Sequence, residues 1–104
     1  MITRYQSAET PASVLAYTEG LHTNIYFDFE HIEGEDYRCR YIHLTSRSYK
    51  DIVSAIVADK YSYDDAESIL LDSVETPSEE YQEFSRWRKH AKEVANQVIS
   101  IING

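Results

Sequence analysis

Cysteine, glycine, proline and basic charge are all scarce in this 104-residue chain, and each scarcity removes a class of function. Cys39 is the single cysteine, so no disulfide can close within the chain and a reducing, cytoplasmic setting is expected. A lone cysteine in a strand-like run packs far more often as a small apolar side chain than it serves as a nucleophile. Three glycines leave little material for phosphate-cradling turns, and no Walker loop, dinucleotide fingerprint, nucleophile elbow or H-E-x-x-H pattern occurs. No catalytic, cofactor-binding or metal-binding residue is therefore assigned, and a protein without enzymatic activity is expected. No apolar run approaches the ~18 residues of a membrane span, and MITRYQSAET lacks the apolar centre of a signal peptide, so no membrane partner is expected. Ten Lys and Arg against 18 Asp and Glu give a net charge of -8, which repels polyanions and disfavours nucleic acid as a partner.

What is present fits one folded domain over residues 1–104. Hydrophobic residues at 42% and charged residues at 27% lie near the averages for globular proteins. The first twenty residues show no sustained period and read as a weakly ordered arm, with a short strand at Ile2 to Gln6 and a turn of helix after Pro11. From Thr23 the pattern alternates: Ile25, Phe27 and Phe29 fall on one side, Tyr26, Asp28 and Glu30 on the other. Tyr37 to Thr45 is a second strand-like run, and Glu33-Gly34-Glu35-Asp36 between them reads as a turn, so the two form a hairpin.

Two registers compete for this hairpin. One places Glu30 opposite Arg38 and Asp28 opposite Arg40, with Phe27 facing Tyr41. The other places Phe27 opposite Ile42 and Ile25 opposite Leu44. Cross-strand pairs differ by about 0.2–1 kcal/mol each, whereas the buried face carries several apolar side chains, so burial is expected to decide.

Helical periodicity follows. Ser48-Tyr49-Lys50-Asp51, Ser62-Tyr63-Asp64-Asp65 and Thr76-Pro77-Ser78-Glu79 each fit a capping pattern ahead of an apolar run, and three caps predict three helices. The last, Pro77 to about Ile102, would span roughly 39 Å at 1.5 Å per residue. Its apolar stripe includes Tyr81, Phe84, Trp87, Ala91, Val94 and Val98. Strands followed by helices predict an α+β fold: an antiparallel hairpin, with Ile2 to Gln6 as a candidate third strand, then three helices of which the last is long.

The densest patch of oxygen ligands is DKYSYDDAESIL, Asp59 to Leu70. Against the calcium-loop template, Tyr61, Tyr63, Asp64 and Leu70 occupy the third, fifth, sixth and twelfth positions, so only the first position fits. A helix corner explains the acids better, because Asp64, Asp65 and Glu67 lie in a first turn where carboxylates offset the helix dipole. His22, His31 and His43 lie in or beside the hairpin. Cys39 and His43 on one strand would be about 13 Å apart, too far to share a tetrahedral ion.

Candidate contact residues come from the aromatic surplus and the one basic island. Nine tyrosines suggest contact surfaces, because tyrosine is enriched at protein interfaces, although a small core finished with aromatic rims accounts for the same count. Tyr61 and Tyr63 at the helix corner, Tyr81, Phe84 and Trp87 on the last helix, and Arg88 within Arg86-Trp87-Arg88-Lys89 are the interaction residues expected from sequence.

The segment SAIVADKYSYDDAESILL, Ser54 to Leu71, followed by WRKHAKEVA, Trp87 to Ala95, resembles short proteins of unknown function carried by prophages and mobile elements of gut Bacteroidales. The resemblance spans roughly residues 37–95. It implies a phage-associated protein with a β-rich first half, a helix running into K-Y-S, an acidic second helix and a last helix with W-R-x-x-A-K. The expected function is a noncatalytic interaction or assembly module, connected with virion or tail assembly, that binds a protein partner or self-associates through the last helix. The competing expectation is an acidic inhibitor that mimics nucleic acid and blocks a host DNA-binding protein.

Overall fold

Alternating side chains build the first layer of the molecule. The computed structural model describes residues 1–72 and 79–104. Four strands, β1 (Ile2–Gln6), β2 (Val14–Glu19), β3 (His22–Glu33) and β4 (Asp36–Leu44), pair antiparallel in the order β1-β4-β3-β2. Three helices follow: α1 (Tyr49–Lys60), α2 (Tyr63–Asp72) and α3 (Glu79–Asn103). The class is α+β, with the last helix the longest at 25 residues.

The N-terminal twenty residues are not a loose arm. They supply both edge strands: β1 falls where a short strand was expected, but the residues after Pro11 form β2 instead of a turn of helix. Val14, Leu15, Tyr17 and Thr18 are strand formers, and pairing with β3 supplies hydrogen bonds that a single helical turn could not match. Gly20 and Gly34, at φ 61° and 57°, make the two hairpin turns.

Of the two competing registers, the one with Glu30 opposite Arg38 holds only beyond the bulge, and the one with Phe27 opposite Ile42 and Ile25 opposite Leu44 occurs nowhere in the β3–β4 hairpin. Ile25 pairs with Ile42 and Phe27 with Arg40, and beyond an irregularity between Phe27 and Glu30 the register shifts so that Glu30 pairs with Arg38. The bulge lets the chain bury the aliphatic set and still make the Arg38–Glu30 ion pair, at 2.7 Å. Asp28 sits in the bulge with φ 56°, a left-handed conformation that Asp tolerates better than most residues. Its expected partner Arg40 instead reaches Asp59, at 2.9 Å.

The helix starts obey the caps that the sequence displays. The Asp51 amide donates to Ser48 Oγ at 3.2 Å, and the Asp65 amide to Ser62 Oγ at 3.1 Å. The Ser46 hydroxyl donates to Asp51 at 2.6 Å, and this bond, joined by Ser48, holds the Asp51 carboxyl below its ordinary pKa. The third cap, with Thr76, Pro77 and Ser78, lies outside the described residues.

Helices α1 and α3 pack on one face of the sheet, α3 against β2 and α1 against β4, and α2 packs on α3. Ile25, Phe27 and Ile42 from the sheet meet Ile52 and Ile56 of α1 and Trp87, Ala91, Val94 and Val98 of α3. Trp87 is the centre of this layer: its indole N–H donates to the Ile56 carbonyl at 3.2 Å, and Arg40 and Lys60 lie 4.9 and 5.1 Å from its ring. The stripe on α3 is thus covered mainly by α1 and by β2, the strand that the expected two-stranded hairpin lacked.

Candidate functional site

Because strand residues alternate, burying Thr23, Ile25 and Phe27 under the helices turns Asn24 and Tyr26 outward. Register carries the same logic across the sheet. Leu15 and Tyr41 flank Tyr26, Tyr17 flanks Asn24, and Thr3 faces Cys39. The outward face therefore collects a tyrosine from every strand, Tyr5, Tyr17, Tyr26 and Tyr41, with Tyr37 of β4 buried on the same side opposite Tyr5.

These rings form a connected cluster with Tyr26 at its hub. Tyr26 lies 4.8 Å from Tyr41, 5.8 Å from Tyr5 and 6.4 Å from Tyr17, and Tyr5 meets Phe29 edge-on at 5.2 Å. Tilted and edge-on geometries of this kind suit the aromatic quadrupole and add to the stiffness of the patch. The Tyr41 hydroxyl donates to Asn24 Oδ1 at 2.5 Å, fixing that ring. Burial pushes the Tyr26 phenol above its ordinary pKa, with Tyr41 and Cys39 adding to the shift, and Tyr5 is raised by burial and by Tyr17. Cys39, 1% exposed beneath these rings, has its thiol pushed up by burial, so it is a poor nucleophile. Tyr17 is 55% exposed and is the most open of the set.

The electrostatics of the face are as informative as its rings. Among the described residues, the strand positions that share this face contain one carboxylate, Glu19, and no lysine or arginine. A four-stranded sheet with exposed aromatics is a form used to stack RNA bases, but such surfaces also need cations for the phosphates. Here the stacking platform is present without them. A neutral aromatic surface in an acidic molecule matches the composition of a protein interface.

The interaction residues expected from sequence fall into two groups. Phe84 and Trp87 are 2% and 8% exposed and lie in the core, so in this fold neither presents its ring to a partner. Tyr61 is half-buried with its ring edge-on to Phe84 at 5.1 Å, which makes it an anchor for the α1–α2 corner. Tyr63 is 80% exposed. Tyr61, Tyr63 and Arg88 do come together, with Val57 and Ala66, around a cleft of about 410 Å³ between α1 and α2. Tyr81 is half-buried at the start of α3 and does not line that cleft.

A second cleft, of about 450 Å³, opens beside the bulge, lined in part by Thr10, Ser13, His31 and Gln97. There His90 bonds Asp28 at 2.6 Å, tying α3 to the sheet. The Ser13 hydroxyl donates to Gln97 Oε1 at 3.0 Å rather than to His90, so no serine–histidine relay is assembled. Among the described residues, no group of three or more His, Cys, Asp and Glu side chains is arranged to hold a metal ion. No helix there is long and apolar enough to cross a membrane.

Comparison of the chain with protein-family models, with curated proteins and with solved structures found no match.

Sequence reasoning counted the tyrosines but missed the face they share. The signal was Tyr26, which falls on the outward side of an alternating strand where a polar residue is the norm. Seeing the others required the two edge strands, which the sequence pattern had left as an arm.

Proposed function

We propose that this protein is a noncatalytic protein-binding module that docks a partner protein on the open, tyrosine-rich face of its sheet. The observation that carries this reading is the ring cluster contributed by all four strands on the face opposite the helices. Tyrosine gives large contact area with little rotamer entropy to lose, and here mutual packing has already restricted the rings. The net charge of -8 complements a partner whose contact surface is apolar at its centre and basic at its rim.

Area argues for a different protein over a second copy. Four strands at ~4.8 Å spacing and about six residues at ~3.3 Å each give a face of roughly 400 Å². Two such faces would bury about 800 Å² in total, below the ~1,200–2,000 Å² of stable specific interfaces, so a partner that also grips the rim is favoured. What supports a role in virion or tail assembly is the resemblance of Ser54 to Leu71 and Trp87 to Ala95 to prophage-borne proteins.

The test compares capture by the immobilised wild-type chain with capture by Tyr17→Ser/Tyr41→Ser and by Arg88→Ala. A partner held by wild type and by Arg88→Ala, and weakened at least about tenfold by the tyrosine pair, is expected. Equal capture by all three would overturn the docking face.

A further inference from the structure

His22 opens β3 and His43 lies near the end of β4, so nothing in their sequence spacing joins them. The sheet does. Asn24 pairs with His43, and His22, two residues before Asn24 on the same strand, shares its side of the sheet and sits diagonally across from His43. His22 Nδ1 and His43 Nε2 are 3.0 Å apart, with ring planes 14° from parallel and centroids 5.2 Å apart. That centroid distance is the nitrogen separation plus the two ring radii, so the imidazoles lie edge to edge in nearly one plane rather than face to face. One ring N–H donates to the lone pair of the other. Both side chains are exposed.

The same two nitrogens are close enough together to be shared by a cation. Without the bridging proton, two sp² nitrogen lone pairs point at one position between the strands. Two imidazoles on one tetrahedral ion at zinc–nitrogen distances of 2.0–2.1 Å have nitrogens about 3.3 Å apart with their lone pairs meeting at about 109° rather than head-on, so a few tenths of an ångström of opening together with a swing of each exposed ring by roughly 35° admits the metal. Glu19 on β2 pairs directly with His22, which puts a carboxylate on the adjacent strand at the same end of the sheet. Its side chain does not converge with the two rings in this structure, so the histidines supply two ligands and water the remainder. Imidazole ligands select zinc, copper(II) and nickel and are poor ligands for the hard cations magnesium and calcium.

We propose that His22 and His43 form a two-histidine binding site for a borderline divalent transition metal ion, with zinc and copper(II) as the natural occupants. The site is independent of the docking reading. With half the protein ligands of a structural zinc site, its dissociation constant lies on the order of 1 to 100 µM. Copper(II) binds more tightly than zinc, as the general order of divalent metal affinities dictates.

Calorimetric titration of the full chain with zinc and copper(II) salts at neutral pH, with magnesium and calcium as comparisons, tests the site. The expected result is one equivalent of zinc or copper bound, no heat from magnesium or calcium, and at least tenfold weaker binding in His22→Gln and in His43→Gln. His90→Gln should retain wild-type affinity. Both variants change exposed side chains, and circular dichroism checks that they fold; zinc should also shift the ring-proton resonances of His22 and His43 in the wild type. Absence of any zinc or copper binding, or undiminished binding by the His22→Gln/His43→Gln double variant, would overturn the proposal.

Discussion

A left-handed backbone at a non-glycine position costs about 1 to 3 kcal/mol, and Asp28 adopts one at φ 56°. Two gains offset that cost. The bulge keeps Ile25 and Phe27 on the buried side while restoring the Glu30–Arg38 pair further out, and it aims the Asp28 carboxylate at His90 of α3. A β-branched residue could supply neither the backbone nor the contact. Asp28→Val should therefore lower stability by roughly 1 to 3 kcal/mol in urea denaturation, while Asp28→Asn, which tolerates the same backbone, should lose less than half of that. Equal losses would mean that the backbone conformation is not what matters there. The register question posed by the sequence had no single answer because the Glu30–Arg38 pairing holds only beyond this residue, and before it Ile25 pairs with Ile42 and Phe27 with Arg40, which neither candidate contained. Period-2 reasoning assumes an unbroken ladder and has no means of placing the extra residue.

At the scale of elements, the signals that read well were the local ones. Ser48 and Ser62 cap α1 and α2 as their sequence context requires, and the stripe from Phe84 to Val98 is the buried side of α3. Ser48→Ala should cost about 0.5 to 2 kcal/mol, the usual range for losing a cap. The neighbouring Ser46 tests a different link. Its hydroxyl donates to the Asp51 carboxylate and is the main reason that group's pKa is lowered in the folded chain. A lowered carboxylate pKa adds stability above the unfolded value of about 3.9, and that contribution disappears as pH falls through the folded value. Denaturant midpoints of Ser46→Ala should thus lie below wild type at pH 7 and the gap should narrow toward pH 2, leaving only the share of the bond that Ser46 Oγ accepts from the Ser48 amide; a gap that does not narrow in acid would contradict the role of the Asp51 bond. Of the signals that read poorly, one was non-local. β1 is short, and its identity as an edge strand rests on pairing that runs from Gln6 with Asp36 to Ile2 with Arg40, some thirty or more residues away, which no window of a dozen residues contains; β2 pairs with its neighbour β3 across the Gly20 turn and was missed although that pairing is local.

For the whole molecule, the decisive feature is asymmetry between the two faces of one sheet. The helices cover the face of Ile25, Phe27 and Ile42, while the opposite face carries Tyr5, Tyr17, Tyr26 and Tyr41 and, among the described residues, has no helix against it. The fold class was legible because strands precede helices, and the core side of α3 was legible from its period. The candidate surface was not, because a tyrosine pattern becomes a face only when four strands are placed side by side. The residues singled out from sequence illustrate this: Trp87, on the apolar stripe of the last helix and also expected as a contact residue, has its indole bonded to Ile56 in the core. Photo-crosslinking tests the docking face most directly. A benzophenone amino acid replaces Tyr17 on the open face in one version of the full chain and Lys89, exposed on α3, in another, and both are irradiated in cells that carry the protein's native partners. The account predicts a discrete crosslinked protein from position 17 that is absent from position 89; no adduct from position 17, or the same adduct from both, would contradict it.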